Sequence, residues 1–203
     1  MMLERGVSQM NLQGILLLVP GAFFAPIIHE FIKARISAAL GDPTPKKNGF
    51  LTLNPFKYFE PIGFFLLLFF HVGWGRPVPT SPFYYKNKRQ GVLLVHGVPM
   101  LVNLILGMVA IFLVNILSIS GIPGNILYGF GLLSIRLAVF NLFPIAPLAM
   151  NKIVQIYSSP STAMWFNNYE KPLQIVLFLL LLFGIVGLIV GSVSSIFIFA
   201  VSI

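Results

Sequence analysis

The 203-residue sequence contains no cysteine and only five acidic residues: Glu4, Glu30, Asp42, Glu60 and Glu170. Without cysteine there are no disulfides and no thiolate-held metals. With His29, His71 and His96 these acids are the whole stock for acid–base or metal chemistry. Charged residues make up 9% of the chain, against about 25% in a typical soluble domain, too few to cover a surface facing water. Disorder is excluded too, because 57% of the residues are hydrophobic. Thirteen Lys and Arg give a net charge of +8. In a chain of mean hydropathy +0.92 that excess belongs to basic loops on the cytoplasmic face of a membrane, and nucleic acid is not an expected partner.

What is present in quantity is apolar sequence, and it falls into runs. Spanning a bilayer core takes about 20 apolar residues. Residues 12–32, 92–118, 126–148 and 173–202 meet that length; the third is broken near its end by Pro144 and Pro147. Residues 61–75 are too short to cross and suit a re-entrant segment, whose backbone needs protein or water around it. Phe50, Leu51, Thr52 and Leu53 alternate between Asn48-Gly49 and Asn54-Pro55 and predict a short strand or hairpin. Residues 149–172 form a polar linker. The expected fold is an all-α polytopic membrane protein, one integral membrane domain over 1–203. It has about four full transmembrane helices, a re-entrant segment and a small β-hairpin on the cytoplasmic side. Lys46, Lys47, Lys57, Arg76, Lys86, Lys88 and Arg89 lie between the first two spans, whereas the turn at 120–125 carries no charge. Residues 33–91 are therefore expected in the cytoplasm, and both termini outside.

His29, Glu30 and Lys33 carry the most chemical information. In an HExxH helix two histidines four residues apart bind zinc, and the glutamate activates the bound water. Here the second ligand position is Lys33, and alone the His-Glu pair reads as an interfacial polar cluster. Arg136, inside the third span, is costly in lipid and must face protein, water or an acid, or snorkel to an interface. Glu30 is the acid placed to meet it. His29, His71 and His96 all fall near one membrane level, so a three-histidine zinc site is a second possibility. Asn54 and Asn141 sit beside prolines, where an amide can satisfy a turn or a broken helix.

The motifs around His29-Glu30 form an ordered series. GDPT follows at 41–44, GFLTLNPFKYFEPIG at 49–63, GWGRPVP at 73–79 and FNLFPIAPLAMNK at 140–152. In order and spacing this resembles the site-2 protease family of intramembrane zinc metalloproteases, in its compact bacterial branch. That branch runs HExxH, GDPT, GxLTLNPxxHxDPxG, GWAKPVP and FNLLPIPPLDG. The resemblance covers residues 29 to about 152 and implies a protease-like core over about 12–152, with an extra helix over about 173–202. It implies a membrane-embedded zinc site near the cytoplasmic side and the cleavage of transmembrane helices. It also implies that Asn54 and Asn141 support a bound segment, which would unwind and pair as a strand beside Phe50–Leu53.

The departures fall on the chemistry. The second zinc histidine of the family's pattern falls on Lys33, and its zinc-binding aspartate on Ala149. The histidine and aspartate of the hairpin motif fall on Tyr58 and Glu60. The GPxxN motif survives only as Gly97-Val98-Pro99, with Asn103 out of step. One of three zinc ligands remains, whereas a catalytic zinc keeps three protein ligands and an open position. The expectation is an inactive homologue without a cofactor, with Lys33, and Arg136 in the same charge cluster, compensating Glu30 where the family has zinc. Its expected partners are membrane lipid and a transmembrane helix or membrane protein, in the bacterial cytoplasmic membrane. The alternatives are an active zinc enzyme with ligands relocated to His29, His71 and His96, and a small transporter component built on broken helices.

Overall fold

The apolar run that begins at Leu12 folds as one helix of 28 residues, α1 (Leu12–Ala39), with Pro20 and Pro26 inside it. In this computed structural model residues 12–202 are described. A short helix, α2 (Thr44–Lys47), follows, then α3 (Pro61–Phe70), α4 (Lys88–Ile116), α5 (Gly121–Phe140), α6 (Ala149–Tyr157), α7 (Pro160–Asn168), α8 (Glu170–Leu182) and α9 (Ile185–Ala200). Helices α1, α4 and α5 are long and apolar enough to cross a membrane. Helices α8 and α9 together make a fourth candidate, but they meet at 76°. Gly184 causes that bend by taking a left-handed conformation (φ 75°) between them. The last apolar run is thus a broken helix and not the straight span expected. The polar linker is helical as well, as α6 and α7.

Three helices meet through glycine. A Cβ on Gly107 of α4 would lie 2.7 Å from the Gly131 carbonyl oxygen of α5, and one on Gly131 would lie 2.8 Å from that of Gly107. A Cβ on Gly21 of α1 would lie 2.8 Å from the Cα of Phe130. Helices without a hydrophobic drive to associate in lipid rely on such close backbone approach. Leu18, Ile111, Leu133, Ile135 and Phe140 fill the resulting core.

The segment expected to be re-entrant turns back on itself. Helix α3 has ten residues, about 15 Å of rise, half of a hydrocarbon core. His71 then adopts a left-handed conformation (φ 58°), and the chain returns alongside the helix. Gly63 packs on the backbone of Trp74, and Gly73 on Gly63 and Leu67. The Arg76 N–H donates to the Tyr58 carbonyl (2.8 Å), closing the base.

The β-hairpin does not form: among the described residues there is no strand. Gly49 ends the turn after α2 with φ 72°, and the Phe50 N–H bonds back to the Pro45 carbonyl. The hydroxyl of Tyr58, itself buried, donates to the carbonyls of Phe50 and Thr52. A phenol occupies the acceptors that a neighbouring strand would use.

Candidate functional site

Spacings of three and four residues put His29, Glu30 and Lys33 on adjoining faces of α1, and all three are buried. Lys33 Nζ lies 3.2 Å from Glu30 Oε2. The same oxygen accepts the Val78 N–H at 2.8 Å. Pro77 and Pro79 have no N–H, so in Pro-Val-Pro the Val78 N–H is the sole backbone donor, and it goes to Glu30. Gly75 lets this segment lie against α1, since a Cβ there would meet the Pro26 carbonyl oxygen at 2.9 Å and Glu30 Cγ at 3.1 Å. From α4, Asn103 Nδ2 lies 3.3 Å from the Ala25 carbonyl and 3.5 Å from His29 Nδ1. Between α1, the returning segment and the end of α5 is a cavity of about 10 Å³, lined by His29, Glu30, Trp74, Gly75, Asn141 and Leu148. That volume is about the least that holds one water.

Asn141 organises the far wall. Its Nδ2 donates to the Leu137 carbonyl (2.9 Å) and its Oδ1 accepts the Ala149 N–H (3.1 Å). Its own carbonyl accepts the Met150 N–H. The amide thus seals the end of α5 to the start of α6 and fixes Ala149 in the interior. Nδ2 and Oδ1 each bond backbone groups freed where α5 ends. Asn54 is exposed and caps the turn at Pro55–Lys57 by accepting the Phe56 N–H. Phe50 is buried, Leu51 and Thr52 are half-buried, and Leu53 is exposed.

The charge cluster is smaller than expected. Glu30 pairs with Lys33, and Arg136 is elsewhere: its guanidinium faces His71, Tyr128 and Gly191, because its side of α5 turns toward the re-entrant tip and α9. The three histidines do not converge either. His71 sits at that tip, and His96 has Lys33, His29 and Lys152 as its charged or titratable neighbours. Among the described residues no three His, Asp or Glu side chains come together in a way that could hold a metal ion.

Asp42, the aspartate of GDPT, is buried beside the site. Its Oδ2 accepts from Ser37 Oγ (2.8 Å) and the Ser81 N–H (2.7 Å), and its Oδ1 from the Thr44 N–H (2.9 Å). Desolvation pushes this carboxyl up, but the bonds from Thr44, Ser81 and Ser37 outweigh it and hold it below its ordinary range. Ser37 also meets the Tyr85 hydroxyl at 2.9 Å. Asp-Pro-Thr is a turn-forming signal for an aspartate that bonds two residues ahead; nothing local announces its link to Ser81. Asn103, out of step with the GPxxN motif, still reaches His29 from α4.

A Bacillus subtilis (strain 168) protein named "Putative zinc metalloprotease YwhC" is 31% identical over 153 residues, covering 71% of this chain and 70% of that protein. The chain belongs to the site-2 protease-like metalloprotease family. No family model matches it, and no solved structure does. For a site-2 protease-like chain, His29 and Glu30 fall where the resemblance places the start of the metal motif, on a buried face of a spanning helix.

Proposed function

We propose that this member of the family is a pseudo-protease: it binds a transmembrane helix or a partner membrane protein without cutting it, in a regulatory, holding or assembly role. The observation that carries this reading is the Glu30–Lys33 pair at 3.2 Å. The residues at the site do not fit a catalytic zinc. His29 is the one ligand left of the family's three, Ala149 offers no side-chain donor, and a protonated lysine cannot ligate and repels a cation. Glu30 Oε2 is taken up by an ammonium and by the Val78 N–H, where the family's glutamate faces a metal-bound water.

An apolar cleft supports the binding half of the proposal. It has a volume of about 330 Å³ and lies between α3, the Ala146–Pro147 segment and α8, with Ile62, Leu177 and Phe178 among its lining residues. Trp74 and Pro147 line both this cleft and the small cavity at Glu30. A helix arriving from the lipid side would rest on these two side chains, short of the carboxylate.

The test is zinc content per chain in protein purified from membranes. Wild type should retain far less than one equivalent, and Lys33→His with Ala149→Asp should raise it. One tightly held zinc per wild-type chain would overturn the proposal and revive the reading with relocated ligands.

A further inference from the structure

A further cleft opens at the N-terminal part of α4, lined by none of the residues around Glu30. It has a volume of about 340 Å³ and lies between the 80–82 loop, the first turns of α4, α6 and α7. His96 forms part of its wall. That imidazole belongs to a residue only 6% exposed, and it has no hydrogen-bond partner among the described residues. The ring lines an open space, where a bound group can reach it. Lys152, exposed on α6 and in no ion pair among the described residues, stands at the same cleft. Gln155 is held beside it by a bond from its Nε2 to Asn151 Oδ1 (2.9 Å).

The charge here is of one sign. No carboxylate lines the cleft, and between Glu60 and Glu170 the sequence has no acid at all but six basic residues. Lys33, the other cation near His96, is already neutralised by Glu30. Arg89, in the first turn of α4, lies over the Tyr157 ring at 5.9 Å and adds a further positive group near the end of α6. With Lys152 and Arg89 both positive, the cleft suits an oxyanion. Val92 and Ile156 make part of the wall apolar, which suits an anion attached to a hydrocarbon body. His96 lies about 12 Å along the axis from Lys88 at the basic start of α4, within reach of a lipid headgroup region.

We infer that this cleft binds a phosphate group, with the His96 imidazole and the Lys152 ammonium as its donors. The inference does not depend on whether the Glu30 site is active. A phospholipid headgroup and a soluble phosphate share this chemistry, and the experiment separates them.

Full-length protein in detergent is titrated with short-chain phosphatidic acid, short-chain phosphatidylcholine and inorganic phosphate, and binding is followed by native mass spectrometry. Phosphatidic acid should bind more tightly than phosphatidylcholine, and Lys152→Ala should weaken it about tenfold, as loss of one charge-assisted bond does. His96→Gln should weaken it as well. Lys152 is exposed, so its variant folds and keeps the test valid if the His96 variant does not. Tighter binding of the lipid than of inorganic phosphate assigns the cleft to a headgroup; the reverse assigns it to a soluble phosphate. Equal binding of phosphatidylcholine, no binding of either phosphate probe, or binding unchanged in Lys152→Ala would overturn the inference.

Discussion

Lys33 is a costly residue to keep inside a spanning helix, and its partner explains how it is kept. An ammonium and a carboxylate that are both buried are tolerable only together, because each alone carries its full desolvation cost. Lys33→Met should therefore destabilise the protein by about 3–5 kcal/mol, the usual cost of removing one partner of a buried pair. Adding Glu30→Gln should recover much of that loss. A double-mutant cycle on thermal unfolding in detergent reads the coupling, and additive losses would contradict the pairing. This contact was legible in the sequence, because residues three apart on a helix are neighbours and both types are rare in a span. The second bond to Glu30 was not, since Val78 comes 48 residues later and its side chain gives no sign of where its N–H points. Arg136 shows the complementary limit. Its depth in a span was legible, but depth does not say which side of a helix faces which neighbour, and it turned toward His71 rather than Glu30.

Helix α3 and its return are held by contacts that leave no room for a side chain. Gly63 and Gly73 bring the two limbs together backbone against backbone, and both are in ordinary helical or extended conformations, so size alone requires glycine. Gly63→Ala should push the return limb off α3 and lower stability by about 1–3 kcal/mol, the typical cost of overpacking. Hydrogen exchange at residues 72–78 should speed up, and unchanged exchange there would argue against the packed hairpin. The length of this run, too short to cross, fits the turn-back seen after α3. The strand expected at 50–53 failed for a related reason. A period of two describes a residue's surroundings but not its partner, and here the partner of the backbone is the Tyr58 hydroxyl. The bend at Gly184 was equally hidden, since one glycine in a long apolar run is tolerated by a straight helix and a broken one alike.

For the whole molecule, the count of apolar runs was the most legible property, because hydropathy and length together dictate it. The path of the last two helices adds a constraint. Asn115 Nδ2 donates to the Val201 carbonyl at 3.2 Å, so the end of α9 lies beside the turn that follows α4. The native chain has no cysteine, so single cysteines report without background. In intact cells or right-side-out vesicles, Ser120→Cys and Ser202→Cys should react with an impermeant thiol reagent from the same side, and Lys86→Cys only from the other. Labelling of all three from one side would sink the crossing by α4, and with it the charge-based orientation. Ser202→Cys reacting with Lys86→Cys rather than with Ser120→Cys would sink the crossing by α8 and α9 alone.

The Glu30–Lys33 pair also bears on how the protein is made. A ribosome releases residues in order, and α1 leaves before any of the segments that later surround it. The pair lies three residues apart, so α1 carries its own neutralisation when it first meets the insertion machinery. An unmatched carboxylate or ammonium near the middle of a nascent helix would count against insertion by a few kcal/mol. The Val78 N–H, 48 residues further on, then arrives at a carboxylate already satisfied in charge. A site assembled from ligands on distant helices has to wait for the whole chain; this one is half built as soon as its first helix emerges.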